Sequence, residues 1–584
     1  MNRPIQSGIP FLVATFYLLG AACGDRDSPG ADPALSSRGA EDCERTLARV
    51  DSFMAEAPPF EADRYGGTAV VGGAGELADG MNALISPSYE ARQHQNFVNL
   101  MTLVRYDRDL DLEPYLAESW EVSEDGRDVT FHLRDDVRWH DGERTDAHDV
   151  AFTYLRATNQ ATGFPNPAYW QFYEPGEAGV EVLDSLTVRF RMRPHVQPLS
   201  PWTSVAILPE HLLGDTPPEE LRRHPFGTRC PVGNGPFVFR EHRQNESWSF
   251  DANPWFPEGL GGRPHLDRYV LRIIPEQTTL LTELLTGGID AYIRLRPDQA
   301  LRVDSAGSLR LFAYPSREYA FVAWNARLSK LADPRVRRAL TLGTRRQEIV
   351  DAVLGGYGRV VNTSVLPYHW AHDPEVSRAL AHDPDEAERL LEEAGWTDRD
   401  DDGVRENGEG VELEVVLDYS TSDQIRQAVA EIMQSQLADI GVRIVPRSVE
   451  LGTLIERVTD PESRAYEAVV LSLSADFRLD DTPLFHSGSS DDALGLTGTD
   501  VPEIDQLLDT LLLIPDRQEA LPYGRRYQDL LVEHQPYTFL FTRTFLNGVN
   551  RRIRDVRMDI RGEWQNLGEW WIPPEERIYT GASG

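Results

Sequence analysis

Trp120 and Val122, then Val129, Phe131 and Leu133, each sit between polar neighbours, which is the period of two of half-buried strands. Ser123-Glu124-Asp125-Gly126 separates the two runs and predicts a hairpin turn. Asp135-Asp136 and His140-Asp141-Gly142 mark further turns, and Thr145 or Asp146 is placed to cap a helix through Val150, Tyr154 and Leu155. Leu186–Arg191 alternates again. Gly66–Val71 reads as the strand that opens the folded part, and Asn96–Arg105 as a helix.

Further on, strands and helices alternate. Val270–Ile274 predicts a strand, Thr279–Thr286 a helix, and Gly288–Ala291 the start of another strand. Asp333-Pro334 and Asp383-Pro384 each predict a helix start, since proline suits the first helical position. Gly395 ends the second of these helices. The clearest unit spans 411–448: a strand at Val411–Leu417, a helix with Ile425, Val429, Ile432, Met433, Leu437 and Ile440 at helical spacing, and a strand at Val442–Val445. That is a βαβ crossover. Ile504–Leu513 and Leu521–Val532 read as amphipathic helices. The sum is an α/β protein.

A chain of 584 residues is expected to hold two or three domains. Its net charge of -36 argues against a nucleic-acid binder, which needs a basic face, and suits a very soluble, exported or salt-adapted surface. Arg3 and the apolar run Ile9–Ala22 form a signal peptide over residues 1–23, too short to span a bilayer. The run ends Gly20-Ala21-Ala22-Cys23, so Cys23 reads as a lipidated first residue of the mature protein; ordinary cleavage with release is the other reading. Residues 24–60 read as a flexible tether, rich at first in Gly, Ser and Pro. Cys43 and Cys230 either pair in an oxidising exterior or stay as separate buried thiols.

The stretch from Pro114 to Arg156 carries more than secondary structure. L-A-E-S-W-E-V-S-E-D-G (Leu116–Gly126), F-H-L-R-D-D-V-R-W-H-D-G (Phe131–Gly142) and D-V-A-F-T-Y (Asp149–Tyr154) resemble the signature block of bacterial extracellular solute-binding protein family 5. These are the peptide/nickel, dipeptide- and oligopeptide-binding receptors of ABC importers. P-V-G-N-G-P-F (Pro231–Phe237) resembles a further family motif, with Asn234 in its Thr place. The resemblance runs from about Gly66 to Pro574. It implies a type II periplasmic binding protein fold: a first lobe at 61–268 with an extra subdomain at about 95–200, a second lobe at 269–500, a return to the first lobe at 501–584, and a hinge. It implies a monomer, lipid-anchored at the periplasmic or cell surface, that captures a small solute, most simply a short peptide, by lobe closure and hands it to the permease subunits of an importer. A non-transport peptide sensor or chaperone of the same fold is the alternative.

The resemblance also places the ligand. Asp476, followed by Asp480, matches a family segment whose aspartate meets the ligand's α-amino group, although Leu471-Ser472-Leu473-Ser474 stands where that segment carries a tryptophan. A turn-capping role for Asp476 is the plain reading beside it. Tyr319, Trp324 and Asn325 read as lining, with a core role for Trp324 as the alternative. Asp398, Asp400, Asp402, Gly403 and Glu409 fit D-x-D-x-D-G-x5-E, a calcium loop of structural kind, although a strand rather than a helix follows. No cofactor is otherwise required. Four His-Asp pairs (His140-Asp141, His148-Asp149, His372-Asp373, His382-Asp383) raise a metal-dependent hydrolase as a remote alternative to a non-enzymatic receptor.

Overall fold

The computed structural model describes residues 33–578 apart from 59, 61–63, 87, 166–172, 175, 193–199, 377–378, 462–463 and 515. The signal peptide and Cys23 lie outside the described residues. The chain forms two units. Unit 1 takes the chain up to Tyr314 and again from Leu546; unit 2 is Pro315–Phe545.

These boundaries correct the sequence reading, which placed them near 269 and 501. Arg268–Ile273 pairs in parallel with Thr68–Gly73 and so belongs to unit 1. Helices Pro502–Leu511 and Arg517–His534 bury Ile504, Leu508, Tyr527 and Leu531 against unit 2. The chain changes units inside two long strands, Leu309–Trp324 and Tyr537–Asn550.

In unit 1, Thr68–Gly73 lies between Arg268–Ile273 and Ala291–Tyr292, parallel to both. Ser247–Ala252 and Phe237–Arg243 extend that sheet antiparallel. Asp290 is a fully buried carboxylate here. It accepts the Val70 N–H at 2.9 Å and is paired with Arg552 from the C-terminal segment, while burial raises its pKa. A second, four-stranded antiparallel sheet holds the expected hairpin, Ala117–Val122 with Asp128–Leu133, then Thr187–Arg191 and Val180–Asp184. Helix Ala147–Thr158 packs beside it. Asp146 caps that helix, and Asp149 completes a capping box. The helix expected over Asn96–Arg105 is instead Tyr89–His94 continued by one π-turn, Gln95–Asn99, after which Val104–Tyr106 is a strand.

The glycine turn at 231–237 is scaffold. A Cβ on Gly233 would lie 1.7 Å from the Asn99 carbonyl oxygen, so only glycine permits this approach. His140 closes the turn: Nε2 donates to the Gly235 carbonyl at 3.0 Å and Nδ1 accepts the Gly233 N–H at 3.2 Å. Burial lowers its pKa to about 4, so the ring is neutral.

Part of the stretch expected to be a flexible tether is helical: a helix runs from Pro33 to Ala55. Cys43 and Val50 are buried along it, and Cys43 is bridged to Cys230. Arg49 reaches Asp141 at 3.0 Å, and Phe53 stacks on Trp255 with centroids 5.5 Å apart.

Unit 2 is a sheet covered by helices on both faces. Its strand order is Arg443–Val449, Glu414–Ser420, Ala468–Ser474, Leu309–Trp324, Tyr537–Asn550, with Gly358–Val360 against the last. The βαβ unit is present, with Gln424–Ala438 between parallel strands. Alternation sets the two cores. Ala320, Val322 and Trp324 enter one, with helices Pro334–Leu342, Pro384–Glu393 and Gln424–Ala438. Tyr319, Phe321 and Ala323 enter the other.

Candidate functional site

Strand Ala468–Ser474 is buried over its first five residues and then runs out into Ala475-Asp476-Phe477. The Ala475 N–H donates to the Arg317 carbonyl at 2.9 Å, which ties this exit to the strand beside it. Asp476 is half-buried, and its Oδ1 accepts the Phe477 N–H at 2.7 Å, the turn-forming contact expected of such an aspartate. Rings gather around it. Tyr368 meets Phe477 edge-on at 5.8 Å, the Arg317 guanidinium lies over Phe477 at 4.9 Å, and that of Arg517 lies 6.0 Å from the Trp370 ring.

The loop Pro367–Trp370 lies beside Phe477 and Asp476. His369 Nδ1 accepts the Ala371 N–H at 3.1 Å, which leaves the ring hydrogen on Nε2. Burial first, then the charge of Arg517, pushes the His369 pKa down to about 3. The Tyr368 hydroxyl is pushed up by burial, with Arg317 and Asp476 both in electrostatic reach. Tyr368 Oη and Trp370 Nε1 are buried and make no hydrogen bond within the described residues.

The other expected ligand residues have structural duties. Asp480 is clamped by Arg478 at 2.6 Å and its side chain is 2% exposed. Trp324 is 0% exposed and donates from Nε1 to Thr538 Oγ1 at 2.9 Å. Tyr319 is 1% exposed and packs against Phe321 and Phe539. Asn325 donates to the Tyr466 carbonyl at 2.9 Å and accepts the Arg327 N–H. Trp324 thus takes the core role, and Tyr319 joins it in the interior. Arg317, Tyr368, Trp370 and Arg517 were not singled out from the sequence. The one signal was Tyr368-His369-Trp370 itself, a run of large rings in a stretch with neither period.

The carboxylates that converge in the acidic loop are Asp398, Asp400 and Glu406, with oxygens within 4.8 Å of one another. Asp402 and Glu409 of the expected set are not in that group. Asp402 Oδ1 accepts the Val404 N–H at 2.8 Å, and Glu409 is exposed in the turn after Asn407. The chain leaves this loop through a bridge of Glu406 with Glu412, not a helix, which swings Glu406 inward. Asp398 and Asp400 already accept the Gly403 and Asp402 N–H groups, at 3.0 and 3.3 Å.

The His-Asp pairs are dispersed, each in its own local contacts. Asp141 bonds His211, Asp149 caps a helix, His372 and His382 bond the carbonyls of Val365 and Leu342, and Asp383 caps a helix. Among the described residues none of them joins a group of three metal-ligating side chains, and no helix is long and apolar enough to cross a membrane.

The sequence model of the bacterial extracellular solute-binding proteins, family 5 (Middle), matches residues 111–494. The oligopeptide-binding protein AppA of Bacillus subtilis is 27% identical over 515 residues, 87% of this chain and 92% of its own length. The solved structure of B. subtilis AppA in complex with a nonapeptide is similar at TM-score 0.69 and 26% identity, covering 87% of this chain and 99% of that one. NikZ from Campylobacter jejuni, solved in complex with Ni(L-His), is similar at TM-score 0.68 and 25% identity, covering 88% and 100%. The match of the family over more than half of the sequence, on units that carry the type II periplasmic-binding architecture, makes this chain a member of the bacterial extracellular solute-binding proteins of family 5.

Proposed function

We propose that this protein receives short peptides outside the cytoplasmic membrane and passes them to an ABC importer. The observation that carries the reading is the family match over residues 111–494, in a chain that carries Asp476 beside Tyr368 at the exit of strand Ala468–Ser474. Support for a peptide comes from relatives named for oligopeptides and from the nonapeptide bound to AppA. In this reading the protein is a monomer held at the surface by a lipid on Cys23, and it turns nothing over. Calcium, if held by Asp398, Asp400 and Glu406, is structural, because that loop closes with its own hydrogen bonds.

The test is a thermal-shift screen of residues 24–584 with peptide pools, nickel with histidine, and oligosaccharides. A ligand at a hundredfold excess over its dissociation constant stabilises by roughly 3 kcal/mol. A shift with peptides that Asp476→Ala removes supports the reading; a shift with nickel–histidine alone replaces the ligand. A sensor or chaperone would bind the same peptides without stimulating ATP hydrolysis by a reconstituted permease.

A further inference from the structure

The C-terminal segment of unit 1 carries the run Arg551-Arg552-Ile553-Arg554-Asp555-Val556-Arg557. Three of its four arginines meet carboxylates. Arg552 is paired with Asp290, Arg554 Nη2 lies 2.6 Å from Glu576 Oε1, and Arg557 is paired with Glu569. Arg551 is exposed, and its side chain makes no hydrogen bond or ion pair among the described residues. Its backbone fixes where it stands. The Arg551 N–H donates to the Ser308 carbonyl at 2.8 Å, beside the start of strand Leu309–Trp324.

That strand supplies a second arginine without a carboxylate. Arg310 is half-buried, with its guanidinium over the Phe312 ring at 5.4 Å. One terminal nitrogen donates to the Ile553 carbonyl, and its Nε is buried with no partner among the described residues. Burial first, then the charges of Arg551 and Arg554, lower the pKa of Arg310; the opposing charge in reach is Asp555. Asp555 is already engaged, by Arg64 at 3.3 Å and by the Trp571 indole N–H at 2.9 Å. Arg310, Arg551 and Arg554 therefore stand close enough to repel one another, and Glu576 answers the last of them alone.

The net charge of -36 does not cancel this trio, because at 0.1 M salt exposed charges are screened beyond about 10 Å and the near neighbours decide. Guanidinium groups hold oxyanions through paired N–H donors. Three of them, from two chain segments, offer donors from more than one direction. That suits a tetrahedral, doubly charged oxyanion better than a flat, singly charged carboxylate.

We propose that Arg310, Arg551 and Arg554 form a site on unit 1 for a phosphate group, either free phosphate or the headgroup of an anionic phospholipid. The site is independent of the peptide reading above.

The experiment titrates residues 24–584 with inorganic phosphate at fixed ionic strength, read by calorimetry. In parallel the protein is sedimented with vesicles of phosphatidylglycerol or of phosphatidylcholine. Arg551 has no side-chain bond to lose, so Arg551→Gln and Arg551→Glu are expected to keep the fold. The parent is expected to bind phosphate saturably, or to sediment with phosphatidylglycerol and not with phosphatidylcholine. Arg551→Gln is expected to weaken that binding about tenfold, the scale of one charge-assisted pair, and Arg551→Glu to abolish it. Phosphate binding without vesicle binding assigns the site to the free ion. Vesicle binding without phosphate binding assigns it to the headgroup, and both together show that the phosphate group alone is recognised. Binding of neither overturns the proposal, and so does binding that Arg551→Gln changes less than threefold.

Discussion

The bridge between Cys43 and Cys230 gives the sharpest stability prediction. The perturbation is the double variant Cys43→Ser, Cys230→Ser. The two residues are 187 apart in sequence, so the bridge closes a long loop in the unfolded chain. The loop-closure relation puts its contribution at about 5 kcal/mol, an upper figure for a denatured chain that retains structure. Both cysteines lie in unit 1, so the loss is expected there and not in unit 2. Amide hydrogen exchange reads the two units separately. The slowest amides of Thr68–Gly73 and Arg268–Ile273 are expected to exchange up to about 10^3–10^4 times faster, at 1.4 kcal/mol per decade. Those of Ala468–Ser474 in unit 2 are expected to hold their rates. Acceleration of less than tenfold in unit 1, or equal acceleration in both units, would refute the reasoning.

Three further outcomes follow. Trp324→Phe removes a buried ring volume and the bond to Thr538; it is expected to destabilise unit 2 by about 1–3 kcal/mol in urea while peptide affinity stays within about twofold, and a larger affinity loss would return Trp324 to the binding surface. His94 and His140 have pKa values lowered to about 4 by burial, and His369 to about 3. Their stabilisation is complete above the ordinary histidine pKa and is lost as pH falls toward those values, so each is expected to cost up to about 2 kcal/mol between pH 7 and pH 5; urea midpoints that do not move over this range would contradict the burial. If Asp398, Asp400 and Glu406 hold calcium, a millimolar addition raises Tm and Glu406→Gln cancels the rise; an unchanged Tm in the parent protein removes the ion.

Alternation and capping made much of the fold legible. The hairpin around Ser123–Gly126, the capped helix after Asp146 and the βαβ unit at 411–448 stand where the pattern put them, because each is decided within a few residues. Trp324 shows where such reading stops. Its strand is apolar on both faces, since each face meets its own layer of helices, and a continuous apolar run does not say which ring lines a surface. The N-terminal helix was hidden by a Gly, Ser and Pro-rich lead-in, although Cys43 and Val50 lie two helical turns apart. In the acidic loop the converging carboxylates differ from the expected set, because the calcium pattern presumes an exit helix and the bridge at Glu412 brings Glu406 beside Asp398 and Asp400. The arginines of the candidate site sit two hundred residues apart, on a strand and at a helix start, so only the fold could bring them together.

Because unit 2 interrupts unit 1, the order in which the chain is delivered constrains assembly. Synthesis runs from the N-terminus, and Pro315–Phe545 has its own sheet and both its cores before the last segment arrives. Unit 1 does not. Buried Asp290 waits for Arg552, Tyr269 waits for the indole of Trp564 at 2.7 Å, and Leu295 waits for the carbonyl of Leu546 at 2.8 Å. The inserted unit can therefore mature first, while unit 1 stays unfinished until the segment from Leu546 onward has been made. A nascent chain stalled at Phe545 would present a protease-resistant second unit behind a still-digestible first one.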